Sequence, residues 1–363
     1  MSTQGGVSDR ENVALWVNQK SEVDARPGAS GYDIGEAEVL VEVRFSGINP
    51  ADVSHAQFGF ADCVAGYDFA GYVLQSGRLH AERFKPGDRV CGFAAPLKDK
   101  LPQYGTHQLY HVARDRISIV PDDVDLDKAA ALPVVLHTAA DLVFNILELP
   151  WYPSNSVTFE TTPLLIWGGA SMVGFLAIQF AKKANCFPIF TTASAANHTA
   201  LLAAGATRCF DYHDPDVTIK IKEVAKQYSS RGLMYVIAAV GAGQGGIPSM
   251  PLCEECCERP DRTSFATAIP PSGDSKQKWT LAYACRNVVH PWSPFDPIVQ
   301  PNYEWHYRNI RAAEWAIANI GNGVVLPPVE IVSTVDAARE KLLSSAAGST
   351  SFRKYVLKHP LQL

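Results

Sequence analysis

The stretch Leu164-Leu-Ile-Trp-Gly-Gly-Ala-Ser-Met-Val-Gly-Phe-Leu-Ala-Ile-Gln-Phe-Ala-Lys-Lys183 decides the fold. Leu164, Leu165, Ile166 and Trp167 form a short unbroken apolar run, the pattern of a parallel strand buried on both faces. Gly168, Gly169, Ala170 and Ser171 follow as a tight turn. After Met172, the residues Val173, Leu176, Ala177 and Phe180 recur at i, i+3, i+4 and i+7, the spacing of an amphipathic helix. Strand, glycine turn and helix together suit a dinucleotide pyrophosphate. Glycine lets the backbone approach the phosphates, and the helix start offers free N–H groups and the positive end of its dipole. Gly174 allows the helix to pack closely on the strand. The spacing is Gly-Gly-x-x-x-x-Gly rather than the strict fingerprint, so an ordinary strand–turn–helix is the competing reading.

The flanking chain favours the first reading. Downstream, residues 189–194 read as a second strand, 197–204 as helix, and 205–212 as a turn into a third strand. Residues 219–228 read as helix, 233–240 as the fourth strand, and 263–268 and 280–284 as further strands. This βαβ alternation predicts a doubly wound parallel sheet with its ligand at the carboxyl ends of the strands. Residues 241–262 and 270–304 are rich in Gly, Pro, Cys and aromatics and read as loops over the site. Upstream, residues 11–120 carry short strands. Val39-Leu-Val-Glu-Val-Arg-Phe45 alternates as a half-buried strand does, and a Pro-Gly turn at Pro86-Gly87 precedes another, so a barrel or sandwich is expected. Residues 129–149 read as helix interrupted near Pro133, and 150–163 as a connector.

A chain of 363 residues exceeds what one core usually organises, which predicts two domains. With 47% hydrophobic and 19% charged residues the composition is globular, and a net charge of −5 gives no reason to expect nucleic acid or an anionic membrane as partner. The first ten residues lack an apolar signal core, and no apolar run approaches the roughly 20 residues that span a bilayer. A soluble, cytoplasmic protein is expected. The 8 cysteines are scattered, as reduced thiols would be. Cys253, Cys256 and Cys257 form the one cluster; without a second ligand pair it reads as a loop of unpaired thiols.

Six blocks, in order, carry a family resemblance: Gly47-Ile-Asn-Pro-Ala-Asp52, Gly66-Tyr-Asp-Phe-Ala-Gly71, Pro86-Gly-Asp-Arg-Val90, Ala129-Ala-Ala-Leu-Pro133, the glycine turn, and Ala204-Gly-Ala-Thr-Arg-Cys-Phe-Asp-Tyr212. The chain resembles the medium-chain dehydrogenase/reductase superfamily, and within it the fungal trans-acting enoyl reductases of polyketide biosynthesis, of the lovastatin type. The resemblance implies an α/β fold: a Rossmann doubly wound parallel sheet over 158–321 plus a GroES-like β-barrel domain over 1–157, completed by 322–363. Val329-Glu-Ile-Val332 and Phe352-Arg-Lys-Tyr-Val-Leu357 look like the strands that return to the barrel.

Zinc-using members place a Cys where this chain has Asn49 and a Gly-His-Glu where it has Gly66-Tyr67-Asp68, so no metal is expected. The second strand ends Thr192-Ala-Ser194 without the carboxylate that would repel a 2′-phosphate, which favours NADPH over NADH. The resemblance carries Ser194, Asn197 and Tyr212 onto contacts to the adenosine phosphate. It carries Ala170, Ser171, Met172 and Val173 onto the pyrophosphate turn, and Gly168, Gly169, Gly174, Asn49, Val240 and Tyr355 complete the expected cofactor set. Ser194 also reads as a helix N-cap, and His198 is the one nearby candidate cation.

Enoyl reduction needs hydride at the β-carbon, a polarised thioester carbonyl and a proton at the α-carbon. The family's pocket Lys falls on Ser54 here and its Thr on Thr138, with His55 and His137 as neighbouring candidates for proton transfer. Two readings follow. One is an NADPH-dependent reductase of an activated C=C bond, acting on a small-molecule or carrier-protein-tethered polyketide substrate with a polyketide synthase partner. The other is a non-redox cyclase or pericyclase on the same scaffold, which Ser54 in place of Lys keeps open. A pure accessory subunit of a synthase is the third.

Overall fold

The computed structural model describes residues 12–151, 161–241, 248–271, 273–288, 299–349 and 352–363. Most of the connector expected over 150–163, and the domain boundary drawn at 157/158, lie outside the described residues. The chain divides into two compact units, Met1–Val134 with Ile317–Leu363, and Val135–Ala316.

The first unit opens with β1 (Val13–Val17), β2 (Val23–Pro27) and β3 (Val39–Gly47), then a single helical turn α1 (Ala51–Ser54) and a 3₁₀ turn, His55–Phe58. It continues through β4 (Cys63–Val64), β5 (Asp68–Ser76), β6 (Arg89–Phe93), β7 (Tyr110–Ala113), β8 (Ile117–Ile119) and α2 (Leu126–Ala130). Val39, Val41 and Val43 pack with Phe69, Val73, Phe84 and Val90. On its other face only the start of the strand is covered, where Leu40 packs with Leu109, Tyr110 and Val112; Glu42 and Arg44 stay partly exposed, as in a half-buried strand.

Pro133 opens α3 (Pro133–Ala140), where a missing N–H costs nothing, and so separates it from α2. A π-helical turn, Asp141–Ile146, follows directly. The second unit then runs β9 (Leu164–Trp167), α4 (Met172–Lys183), β10 (Ile189–Thr192), α5 (His198–Ala204), β11 (Arg208–Phe210), α6 (Val217–Tyr228) and β12 (Tyr235–Ala238). After these come α7 (Ser249–Glu255), β13 (Ser264–Thr267), β14 (Trp279–Leu281) and α8 (Tyr303–Ala318). The strands form one parallel sheet ordered β11-β10-β9-β12-β13-β14, with β9 fully buried at its centre. The order reverses between β9 and β12, the switch point where open α/β sheets bind ligands.

The segment 241–262, expected to be a loop, contains a helix, and α8 follows the other expected loop, 270–304. In α7 and the turn after it, Met250, Cys253, Cys256 and Cys257 all join the core with Trp279 and Val236. Residues 250, 253 and 257 have helical spacing once cysteine is counted as a small hydrophobe. The thiols therefore lie on a packed helix and the turn that ends it, not in a loop. In α8, Ala312, Ala313 and Ala316 are buried, and alanines gave that face too little hydrophobic contrast to read.

The chain ends with β15 (Val329–Thr334), α9 (Val335–Ala346) and β16 (Lys354–Gln362). β15 and β16 are parallel, and β16 pairs antiparallel with β3. A seven-stranded sheet results, ordered β15-β16-β3-β5-β6-β8 with β7 also on β3, beside a three-stranded sheet β2-β1-β4. The returning strands thus complete the N-terminal unit. Among the described residues no helix is long and apolar enough to cross a membrane.

Candidate active site

The glycine turn is built for close backbone approach. Gly168 has φ +88°, and the Val240 side chain stands 2.6 Å from where a Cβ on it would lie. A Cβ on Gly169 would collide with Thr191 Oγ1, and one on Gly174 with the Gly168 carbonyl, so α4 sits directly on the turn. The Gly168 N–H donates to Thr192 Oγ1 at 3.0 Å, and the Gly169 N–H to the Thr192 carbonyl at 3.0 Å. Ser171 caps α4: its Oγ accepts from the Gly174 N–H at 3.1 Å and donates to the Gly168 carbonyl at 2.8 Å. That hydroxyl belongs to the turn itself, which leaves backbone N–H groups around Ala170, Met172 and Val173 as the partly exposed donors. Such a cradle fits a pyrophosphate.

At the end of β10, Ser194 begins the 3₁₀ turn Ala195–Asn197, but its side chain makes no cap hydrogen bond. The capping role is not realised, and the hydroxyl is partly exposed beside Asn197. His198 Nε2 lies 2.9 Å from the Ala193 carbonyl, so this nitrogen donates to backbone. The expected nearby cation is thus engaged elsewhere. Tyr212 stacks on His213 with ring centroids 4.1 Å apart, and His213 Nδ1 is 2.7 Å from Asp211 Oδ1. The His213 backbone N–H holds the Asp211 carboxyl below its ordinary range, with the ring adding to the effect. Asp211 is a carboxylate next to Tyr212, one of the residues expected to contact the adenosine phosphate, and the sequence argument, confined to the second strand, passed it over.

In the other unit, Asn49, Asp68 and Lys354 form a closed buried group. Lys354 Nζ donates to Asn49 Oδ1 at 2.6 Å, Asn49 Nδ2 donates to Asp68 Oδ2 at 2.8 Å, and Lys354 lies 3.5 Å from Asp68. The Val134 N–H donates to Asp68 Oδ1 at 2.7 Å. Burial raises the Asp68 carboxyl to about 6 against the pull of Lys354, and burial also lowers Lys354. The Asn49 amide is held by this network. An ammonium therefore stands among the side chains that replace the zinc ligands, and a divalent cation would meet its repulsion. Among the described residues no group of three His, Cys, Asp or Glu could hold a metal.

Ser54 closes α1, partly exposed, and among the described residues its hydroxyl makes no hydrogen bond. The adjacent His55 places Nδ1 2.8 Å from the Tyr67 hydroxyl. Burial lowers His55 to about 4, with Asp52 opposing and Lys100 assisting. The Lys100 ammonium lies 5.2 Å from the centre of the Tyr67 ring. Lys100, Tyr67, Asp52 and Cys63 line a small cavity of about 10 Å³, and Asp52 Oδ1 is buried without a hydrogen-bond partner. The other oxygen, Oδ2, accepts from the Asn49 N–H at 2.7 Å and lies 3.2 Å from His107 Nε2. Tyr355 packs in the core of this unit, with Lys341 over its ring at 5.2 Å.

Asn49, Ser54 and Tyr355 thus belong to one unit. The glycine turn, Ser194, Asn197, Tyr212, Val240, His137 and Thr138 belong to the other. His137 is buried on α3, and Thr138 next to it is partly exposed.

One polar network escaped the sequence argument. Asp141, in the π-turn, accepts from Arg286 Nε at 2.9 Å and from the Tyr283 N–H at 3.0 Å. Asn309 Nδ2 donates to Asp141 Oδ1 at 3.2 Å, and Asn145 Nδ2 donates to Asn309 Oδ1 at 2.9 Å. All of these side chains are buried. The available signal was Asp141 and Asn145 four residues apart inside an otherwise apolar run, a pairing that buried polar groups need.

Comparisons with known proteins agree with this architecture. Residues 35–116 match the alcohol dehydrogenase GroES-like domain. A trans-enoyl reductase of Gibberella fujikuroi is 32% identical over 288 residues, 78% of this chain and 78% of that protein. The trans-enoyl reductase himH of Aspergillus japonicus is 32% identical over 56% of this chain, and the match spans 59% of himH. TOXD of Cochliobolus carbonum, also a trans-enoyl reductase, is 33% identical over 48% of this chain and 59% of its own length. Among solved structures, the Escherichia coli quinone oxidoreductase complexed with NADPH aligns with a TM-score of 0.70 at 18% identity, covering 96% of this chain and 99% of that one. At that identity the likeness speaks to fold alone.

Proposed function

Because the chain belongs to the medium-chain dehydrogenase/reductase superfamily, close to the fungal trans-enoyl reductases, we propose that it is an NADPH-dependent reductase of an activated C=C bond. Its substrate is a polyketide enoyl thioester, free or tethered to the carrier protein of a polyketide synthase, and it works without zinc in the cytoplasm. The observation that carries this reading is the turn at Gly168–Gly174, where each glycine keeps the backbone bare for a pyrophosphate while Ser194 ends β10 without a carboxylate.

The nicotinamide supplies hydride when bound; the chain's residues do the rest. Gly168, Gly169 and the first turn of α4 hold the pyrophosphate. Ser194, Asn197 and Tyr212 bind the adenosine phosphate. Ser54 and Thr138 donate hydrogen bonds to the thioester carbonyl, so that charge developing on its oxygen meets donors already in place. The Lys354–Asn49–Asp68 group braces the strand and turn that carry Ser54, and it supports the zinc-free reading.

The test is whether NADPH absorbance falls when the purified chain meets an enoyl thioester, in the presence of chelator. Expected are NADPH oxidation and a product heavier by two hydrogens. A pathway substrate converted to a product of unchanged mass, with NADPH intact, would establish the non-redox cyclase instead.

A further inference from the structure

We propose that Thr192 is the positioning residue of the nucleotide turn: its hydroxyl and its carbonyl take the two glycine N–H groups and so decide which backbone donors are left for a pyrophosphate. The inference rests on the nucleotide-binding part of the proposed function and deepens it.

β10 begins with Ile189 and Phe190 and ends with Thr191 and Thr192, and both threonines are 0% exposed. Valine has nearly the same shape and strand preference and brings no polar atom, so two hydroxyls inside a parallel sheet need partners that account for them. Successive strand residues face opposite sides of the sheet, and these two make different bonds. Thr191 Oγ1 donates to the Ile166 carbonyl at 2.8 Å, which ties strand to strand. Thr192 Oγ1 accepts from the Gly168 N–H at 3.0 Å, and the Thr192 carbonyl accepts from the Gly169 N–H at 3.0 Å. One residue of β10 thus holds two consecutive peptides of the turn that follows β9.

Glycine does not fix such a turn by itself. Gly168 has φ +88°, a conformation that glycine reaches as one of many. Downstream, the Ser171 N–H donates to the Gly168 carbonyl at 3.0 Å and the Gly174 N–H to Ser171 Oγ at 3.1 Å, which fastens the start of α4 to Gly168. Gly168 is therefore the joint: α4 is pinned to its carbonyl, and Thr192 pins its N–H to the sheet. With the glycine N–H groups engaged, those of Ala170, Met172 and Val173 are left in the partly exposed part of the turn. Donors fixed before a ligand arrives spare it the cost of ordering them. Because Thr192 is fully buried and acts through the glycines, what it secures is common to NADPH, NADH and ADP. Its signature differs from that of Ser194, which separates NADPH from NADH.

Three variants and one measurement on the unmodified chain test this. Thr192→Val keeps the shape and removes the acceptor, Thr192→Ser keeps the acceptor, and Thr191→Val removes the other hydroxyl from the same strand at the same burial. Thr192→Val is expected to raise the Kd of NADPH, NADH and ADP by a common factor of about 3- to 10-fold, the scale of one hydrogen bond, with the preference between NADPH and NADH unchanged. Thr192→Ser should restore all three affinities. Thr191→Val should lower the thermal midpoint as Thr192→Val does and yet bind the three ligands as wild type does. In the ligand-free wild-type chain, amide hydrogen exchange at Gly168 and Gly169 should be slow and at Ala170 fast. In Thr192→Val the Gly168 amide should speed up while those within α4 stay protected. Wild-type Gly168 exchanging as fast as Ala170 overturns this inference alone, and that result does not depend on any variant folding. Wild-type affinity for ADP in Thr192→Val overturns it too, as do equal losses of affinity in Thr191→Val and Thr192→Val, which would make the threonines structural only. A wild-type chain that binds neither NADPH nor ADP overturns the nucleotide reading and the positioning role with it.

Discussion

At Ser194, two residues past the end of β10, the hydroxyl is spared any capping duty, and under the proposed function it meets the ribose edge of the nucleotide. Nucleotide preference is therefore a property of single side chains rather than of the fold. A carboxylate here would accept a hydrogen bond from a free 2′-OH but repel a 2′-phosphate. Ser194→Asp is expected to weaken NADPH binding by ~1–3 kcal/mol, the scale of a close like-charge pair, and to leave NADH the better ligand in a fluorescence titration. Equal affinities in the parent chain would remove the premise. Ser194 was legible in the sequence because it lies a fixed distance past the glycines. The involvement of His198 with the Ala193 carbonyl was not legible, because a histidine's two nitrogens carry no record in sequence of what they meet.

At the scale of elements, the π-turn Asp141–Ile146 shows how an apolar run hides a polar device. Asp141 ties that turn to the segment after β14 through Arg286 and the Tyr283 N–H, and to α8 through Asn309. Removing the carboxylate leaves a guanidinium buried among the Tyr283 and Trp305 rings without its counter-charge. Asp141→Leu is expected to destabilise the chain by about 3–5 kcal/mol in urea unfolding, whereas replacing Asp141 and Arg286 together by Leu and Met should cost much less. Equal losses in the single and double variants would show that the pair is not the unit of stability. The same scale explains α7. Its core-facing thiols are held protonated by burial, and Cys257 is pushed up to about 12.

For the whole molecule, the N-terminal unit buries several histidines in neutral form. His111 and His359 are brought down to about 3 by burial, and His55 to about 4. His111 faces the Gly105 carbonyl and the Lys100 charge, while His359 faces Ser46 and, beyond it, His107. Each of the three has a folded pKa below its unfolded value near 6.5. Between those values the unfolded chain binds more protons, so stability is full above about pH 6.5 and is lost as pH falls toward 4. The slope should approach ~1.4 kcal/mol per pH unit for each histidine. Urea midpoints at pH 7 and pH 5 measure it, and a His111→Phe variant that folds should show a shallower fall. An unchanged midpoint would contradict neutral burial. The sequence alone determined the alternation of apolar strand and amphipathic helix and the bare glycine turn, because these follow from local periodicity and from the steric needs of a tight turn. Spacing past the glycines also yielded Ser194, while Ser54, Thr138 and the strands that return to the barrel came from the family resemblance. Only the tertiary structure decided which polar groups meet. Lys354 reaches Asn49 across 305 positions, Arg286 reaches Asp141 across 145, and Lys100 comes to lie over Tyr67. Such contacts are set by how sheets and loops fold back on one another, and a buried charge is stable only where that folding brings it a partner.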